Sequence, residues 1–265
     1  MPRANINGID LSWVEHGKGP KTVVFSHSYL ADHRHFAAQI EALASRYRVI
    51  AYDHRDHGDS GRAAGPYEFQ SLVDDAVALI RHVDAAPCHF VGLSTGGFIA
   101  TRLLVHHAEL VDRVVIMDAA GGPEPKRAQL KYQGMFAILR LLGIKPLLST
   151  AMKLMFGASS FADASKQELL STWRERFAAN DPQALIRFGN AIFGRGSIMD
   201  ALPRVNRPVM VMVGEEDRPQ PVSVSRRLAA AIPGARLEII PRAGHLSTLE
   251  QPELINAALL EFLGA

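Results

Sequence analysis

The sequence predicts an α/β fold built on a mostly parallel central sheet flanked by helices. Three observations carry that reading. Short β-branched and apolar runs recur along the 265 residues, with stretches of helical periodicity between them. Hydrophobic residues make up 48% of the chain, enough for a sizeable buried core and too many for intrinsic disorder. Polar turns follow several of the apolar runs, where open α/β sheets place their sites.

Taken in order, Ile9 to Glu15 is expected as an antiparallel edge strand. Thr22 to Ser26, Arg48 to Tyr52, Cys88 to Gly92, Arg113 to Met117, Pro208 to Val213 and Arg236 to Ile240 read as the remaining strands. Helical spacing marks Phe36 to Tyr47, Ser71 to Val83, Gly97 to His107, Ser223 to Ala231 and Glu253 to Leu263. The alternation breaks once. Between Gly122 and Leu202 there is no convincing strand, only amphipathic helical segments. The expected organisation is therefore a core of residues 1–121 and 203–265, with 122–202 inserted as a helical cap.

Charge and targeting signals narrow the function classes. Lys and Arg number 29 against 27 Asp and Glu, which argues against a dedicated nucleic-acid surface. The N-terminal MPRANINGIDLSW lacks the apolar core of a signal peptide. The most apolar stretch, MFAILRLLGIKPLLSTAMKLMF, is interrupted by Arg140, Lys145 and Pro146, so no membrane partner is expected. The single cysteine, Cys88, rules out an intramolecular disulfide. A cytoplasmic protein is the simplest reading, with a homo-oligomer left open.

The chemistry centres on Gly92-Leu93-Ser94-Thr95-Gly96, where a strand gives way to a helix. A serine here either caps the helix or forms a sharp turn that lifts its hydroxyl into a cleft. The strained turn costs of order 1–3 kcal/mol. Glycines two positions either side relieve its crowding, and the new helix aims unpaired N–H groups at the serine oxygen. A nucleophilic serine needs a base, and the base an orienting acid. His245 sits in a loop after the strand ending at Ile240, whereas His82, His106 and His107 lie on helices and His89 in a strand. The acid should follow another strand. Asp217 leads, Asp118 is held in reserve, and Glu215 and Glu216 compete in the same loop as Asp217.

With these residues in view, the chain resembles the α/β-hydrolase family over essentially its whole length. The resemblance rests on Ser26-His27-Ser28-Tyr29, on Tyr52 to Ser60, on Gly92 to Gly96, on Gly214 to Asp217 and on Ala243-Gly244-His245-Leu246. The continuation Leu249-Glu250-Gln251-Pro252-Glu253 is similar to that of small bacterial esterases, cofactor-free haloperoxidase-type hydrolases and 3-oxoadipate enol-lactonases. The resemblance implies an α/β-hydrolase fold and an oxyanion hole made by the backbone N–H groups of Tyr29 and Thr95. Ser28 stands where the family usually has glycine, and Asp56 departs from the family's usual Arg-Gly-His-Gly run. Leu30 stands where perhydrolase-type members often carry proline, which favours ordinary hydrolysis over peracid chemistry.

The function expected is a serine hydrolase of a small to medium apolar carboxylic ester or lactone, with Ser94, His245 and Asp217 as its triad. It needs no cofactor and no metal, only the substrate and water. Rival readings are a carbon–carbon bond hydrolase of ring-cleavage products, an enol-lactonase, or a non-catalytic receptor on the same scaffold. His54 and His57 with Asp53, Asp56 and Asp59 read as loop scaffold rather than metal ligands, since no CxxC or HExxH pattern accompanies them. Asp32 is expected near a helix cap ahead of His33 and His35. Met135, Phe136, Met152, Met155, Phe156 and Phe161 form an apolar series in the cap, mostly for packing and partly for an acyl pocket.

Overall fold

Strand residues of alternating direction build two apolar layers, one on each face of a single sheet. In the computed structural model, which describes residues 1–264, the strands are β1 Arg3–Ile6, β2 Ile9–His16, β3 Thr22–Ser26, β4 Arg48–Tyr52, β5 Cys88–Leu93, β6 Val111–Met117, β7 Val209–Gly214 and β8 Arg236–Ile240. Their spatial order is β1-β2-β4-β3-β5-β6-β7-β8. β1 and β2 pair antiparallel, as do β2 and β4, and every later pairing is parallel. Val24, Phe90, Val114 and Val211 face one layer, while Phe25, Val91, Val115 and Met212 face the other. Each such buried aliphatic or aromatic side chain contributes about 1.5–3 kcal/mol relative to exposure.

The first layer is closed by helices Phe69–His82, Thr95–His106 and Val222–Ala231, the second by Ala37–Leu43 and Pro252–Gly264. One expectation is corrected. Ile9–His16 is not an edge strand, because β1 pairs outside it through Arg3↔Ser12 to Ile6↔Ile9. The tight turn Asn7-Gly8, both at positive φ, folds that short polar strand back on its neighbour.

Between β6 and β7 the described residues contain helices and no strand: Lys126–Leu142, Leu148–Met155, Ala158–Ala162, Gln167–Ala178 and Pro182–Phe193. Asp181 starts the last of these, accepting from the Ala184 N–H at 2.6 Å, with Pro182 in the first turn. These helices do not stand apart from the sheet. Phe188 and Ile192 join the first apolar layer, and Phe136, Met152, Phe156 and Phe177 join the second. Among the described residues no helix is long and apolar enough to cross a membrane.

Candidate active site

Ser94 follows the last residue of β5 and holds φ 53°, ψ −105°, a conformation that side chains rarely adopt. Its side chain makes no capping hydrogen bond, so the helix-cap reading falls away. The turn is braced by its backbone. The Ser94 N–H donates to the Met117 carbonyl at 2.8 Å, and the Gly96 N–H donates to the His27 carbonyl at 3.2 Å. A Cβ on Gly96 would lie 1.9 Å from the Ser26 oxygen, and one on Gly92 would lie 2.1 Å from the Gly96 oxygen. Only glycine allows the elbow to close this tightly against β3.

His245 and Asp217 come from the loops after β8 and β7. His245 Nδ1–H donates to Asp217 Oδ2 at 2.8 Å, and both side chains are buried. The other Asp217 oxygen accepts from the Gln220 N–H at 2.9 Å, which fixes the carboxylate's rotation. Glu215 and Glu216 point elsewhere. Glu215 meets the Arg242 N–H at 3.4 Å, and Glu216 accepts from the Ser159 N–H at 2.9 Å.

Asp118, the reserve acid, lies behind this pair rather than on the histidine. It accepts from the Gly214 N–H at 2.8 Å and from the Ser247 hydroxyl at 2.6 Å. Burial first, and then the charge of neighbouring Asp217, push its carboxyl well above the usual range. Two buried acids in contact do not both ionise readily.

The loop after β3 is shaped by His27. Its Nε2 accepts from the His54 N–H at 2.9 Å, which leaves Nδ1 to donate to the Ser28 carbonyl at 2.8 Å. Ser28 is fully buried and its hydroxyl donates to the Tyr29 carbonyl at 3.3 Å. Leu30 then turns at φ 68°. Serine thus fits the usual glycine position with its hydroxyl satisfied locally. The Thr95 N–H heads the helix after Ser94, where N–H groups have no intrahelical carbonyl.

The histidine- and aspartate-rich loop after β4 is a hydrogen-bonded frame. Asp53 accepts from the His33 N–H, from His33 Nδ1 at 2.9 Å and from the Asp59 N–H. Against the upward push of burial, the His33 hydrogen bond leads the contacts that hold Asp53 down at about 2. Asp32, His33 and Asp53 each bring a ligand-type atom within 4.8 Å of the others, while His54 and His57 lie outside that group. Asp32 caps the short helix at His33–Phe36 through the Arg34 N–H. Asp56, at φ 67°, binds Arg187 from the helical segment at 2.6 Å, a tie that no local pattern announces.

Ser94 and His245 open onto one cavity of about 870 Å³ including its mouth. Tyr29, Phe98, Tyr132, Phe136, Leu185 and Phe193 form part of its wall. Of the apolar series in the helical segment, Met135, Phe136 and Met155 reach the cavity. Met152 and Phe156 instead fill the core, and Phe161 is exposed. Glu124, Tyr132 and Gln220 also reach the cavity, and sequence reasoning had not singled them out. Glu124 follows a Gly-Gly-Pro turn in the loop after β6, a position with no spacing signal of its own.

Comparison with known proteins agrees with this architecture. A relative from Caulobacter sp. (strain K31), assigned provisionally as a carbamate hydrolase (RutD), is 30% identical over 92% of this chain and 90% of its own. The crystal structure of the enol-lactonase from Burkholderia xenovorans LB400 superposes with a TM-score of 0.93 at 26% identity, covering 100% of both chains. A thermophilic esterase from Thermogutta terrifontis gives a TM-score of 0.93 at 25% identity, over 100% of this chain and 98% of that one. The family model for the alpha/beta hydrolase fold matches residues 21–252. The chain belongs to the α/β-hydrolase fold family.

Proposed function

We propose that the protein is a cofactor-free serine hydrolase that cleaves a carboxylic ester or lactone of a small to medium apolar substrate. One observation carries the reading. Ser94, held at a strained elbow, shares a cavity with His245, whose far nitrogen is fixed on Asp217 at 2.8 Å. Ser94 Oγ attacks the carbonyl carbon while His245 Nε2 takes its proton. Asp217 holds the imidazole in the tautomer with Nδ1 protonated and offsets the charge of the imidazolium. The Tyr29 and Thr95 N–H groups receive the oxyanion. Collapse of the tetrahedral adduct expels the alcohol, protonated by His245, and leaves an acyl-enzyme on Ser94. Water, deprotonated by the same histidine, then releases the acid.

Asp118 takes no proton from the histidine in this scheme. Held by the Gly214 N–H and the Ser247 hydroxyl, it supports Asp217 from behind and keeps it aimed at His245. Residues 122–202 act as the lid, supplying the aromatic and methionine side chains that make the cavity favour an apolar acyl group over a charged polymer. The lactone alternative draws support from the likeness to the Burkholderia enol-lactonase.

A panel of p-nitrophenyl esters and lactones, assayed with wild type and Ser94→Ala, tests the reading. The alanine variant should keep its fold and lose roughly 10⁴-fold or more in kcat, because triad members act as a unit. A fluorophosphonate should label the peptide that contains Ser94. Full activity in the alanine variant would overturn the assignment.

A further inference from the structure

The cavity wall is apolar except at Ser94 and His245, at Tyr29, whose hydroxyl is taken up by the Leu185 carbonyl, and at one corner. That corner holds Glu124, Tyr132 and Gln220. A carboxylate in such a wall is expensive unless it is paired, and Glu124 is paired on one side only. Arg195 Nη2 donates to Glu124 Oε1 at 2.9 Å, and the guanidinium is buried, with its Nη1 on the Ile192 carbonyl at 2.8 Å. It lies 3.5 Å over the Phe98 ring. Among the described residues Glu124 Oε2 has no hydrogen-bond donor. Glu124 borders both the cavity and a neighbouring recess, whereas Arg195 borders the recess and not the cavity, so of this ion pair only Glu124 reaches the substrate space.

The other two residues at this corner of the cavity are neutral. The Tyr132 ring stacks on Phe193 at 3.7 Å between centroids, which sets its hydroxyl at this corner. Burial first, and then the charge of Glu124, push that phenol up to about 12, so it remains a neutral group at working pH. The Gln220 backbone is engaged with Asp217, and its side chain also reaches the cavity.

We infer that Glu124 is a specificity residue that receives a neutral N–H or O–H donor carried by the substrate away from its scissile carbonyl. This deepens the esterase–lactonase reading and rests on it. An ion pair is already complete behind the carboxylate, so a substrate cation gains little there. A substrate carboxylate would face Glu124 across a dry wall and is rejected. A neutral amide or hydroxyl satisfies the open oxygen without adding charge. The preferred substrates are then acyl groups that are apolar along most of their length and carry a single neutral donor beyond the scissile carbonyl.

Matched aryl esters test this. p-Nitrophenyl N-acetylglycinate and p-nitrophenyl levulinate have the same shape, and one N–H in the first is a CH₂ in the second. After correction for uncatalysed hydrolysis, wild type should prefer the amide ester by about 10- to 100-fold in kcat/KM, the range for a hydrogen bond to a buried charge. p-Nitrophenyl hydrogen succinate should be at least about tenfold poorer than the levulinate. Glu124→Gln should cut the amide preference several-fold and relieve the rejection of the succinate.

Because that variant leaves Arg195 unpaired, Glu124→Leu combined with Arg195→Met removes the ion pair as a unit. A folded double variant should show an amide-to-levulinate ratio near one. Dissociation constants of the two esters on Ser94→Ala, by calorimetry, should show the same preference without turnover. Failure of labelling at Ser94 with that binding preference intact would overturn the catalytic reading alone. Equal binding and turnover of the two esters by wild type, or a preference that survives in the double variant, would overturn the role of Glu124.

Discussion

The floor of the site and the helices above it are held by different physics. The floor is backbone. Ser94 N–H on the Met117 carbonyl, Gly96 N–H on the His27 carbonyl and Asp118 N–H on the Met212 carbonyl lock the strand ends to one another. The helical segment is tied down by side chains reaching across the fold. Glu250 receives the Gly157 N–H and the Ser160 hydroxyl, Arg187 reaches Asp56, and Tyr29 donates to the Leu185 carbonyl. The proposed catalytic geometry is therefore built into the sheet, while long-range polar contacts help to set the shape of the cavity. Altering those contacts should leave Ser94 in place.

The sharpest test of the floor is the acid. Asp217→Asn should lower kcat about 10³- to 10⁴-fold, because His245 loses its charge partner and its preferred tautomer. Asp118→Asn should cost roughly tenfold or less in rate, and about 1–3 kcal/mol in stability through its bonds to Gly214 and Ser247. Steady-state kinetics and denaturant titration of both variants decide the matter. A larger rate loss at Asp118 would place the orienting acid after β6 instead.

Acid separates the two regions as well. His27, His35, His54 and His57 are buried around the floor loops, and burial lowers the pKa of each, that of His57 to about 3. Residues 122–202 contain no histidine. A histidine held neutral in the fold binds its proton only in the unfolded chain between pH 6.5 and its folded value. Stability is therefore full above that window and falls as pH drops through it, by up to about 1.4 kcal/mol per pH unit for each histidine. Tm should decline steadily from pH 7 to pH 5, with amide exchange rising first in the loops after β3 and β4. A flat Tm over that interval would show that these rings are not kept neutral.

How much of this was legible in the sequence follows from the same contrast. Strand runs such as Thr22–Ser26 and the Gly92–Gly96 elbow are local, so their residues announce them. β1 was missed because Arg-Ala-Asn-Ile is short and half polar, and pairs only through a hairpin. Asp217 was preferred over Asp118 on loop position alone, and the structure puts Asp217 on the histidine. Glu124 and Arg195 are 71 positions apart, and Ser160 and Glu250 are 90. No periodicity links such pairs, so the cavity's polar corner and the anchors of the helical segment became visible only in three dimensions.

Glu250 offers the next test, now of the upper region. Its carboxylate accepts from the Gly157 N–H at 2.8 Å, the Gly244 N–H at 2.7 Å and the Ser160 hydroxyl at 2.6 Å. In Glu250→Gln an amide NH₂ replaces one oxygen and faces donors it cannot satisfy. The expected cost is about 1–3 kcal/mol, or roughly 2–4 °C of Tm per kcal/mol for a chain of this size. KM for apolar esters should rise more than kcat falls, since the cavity loosens while the strand ends stay in place. An equal loss in both parameters would mean that Glu250 supports the His245 loop more than the helices.

The smallest effects belong to the outer face of helix Lys126–Leu142. Its two sides are both apolar but live in different environments. Leu139 is buried at 4% exposure and lines the cavity, whereas Leu141, two positions on, is 80% exposed. Residues two apart on a helix point to opposed faces, so one helix carries its own control. Leu139→Ala empties packed volume and should cost about 2–5 kcal/mol. Leu141→Gln removes no packing in the monomer and should change stability by no more than about 0.5 kcal/mol, with ester KM unaltered. Urea titration of the two single variants and of their combination gives the comparison directly. A loss above about 1 kcal/mol for Leu141→Gln, with the slope of the transition unchanged, would mean that this face is covered in solution.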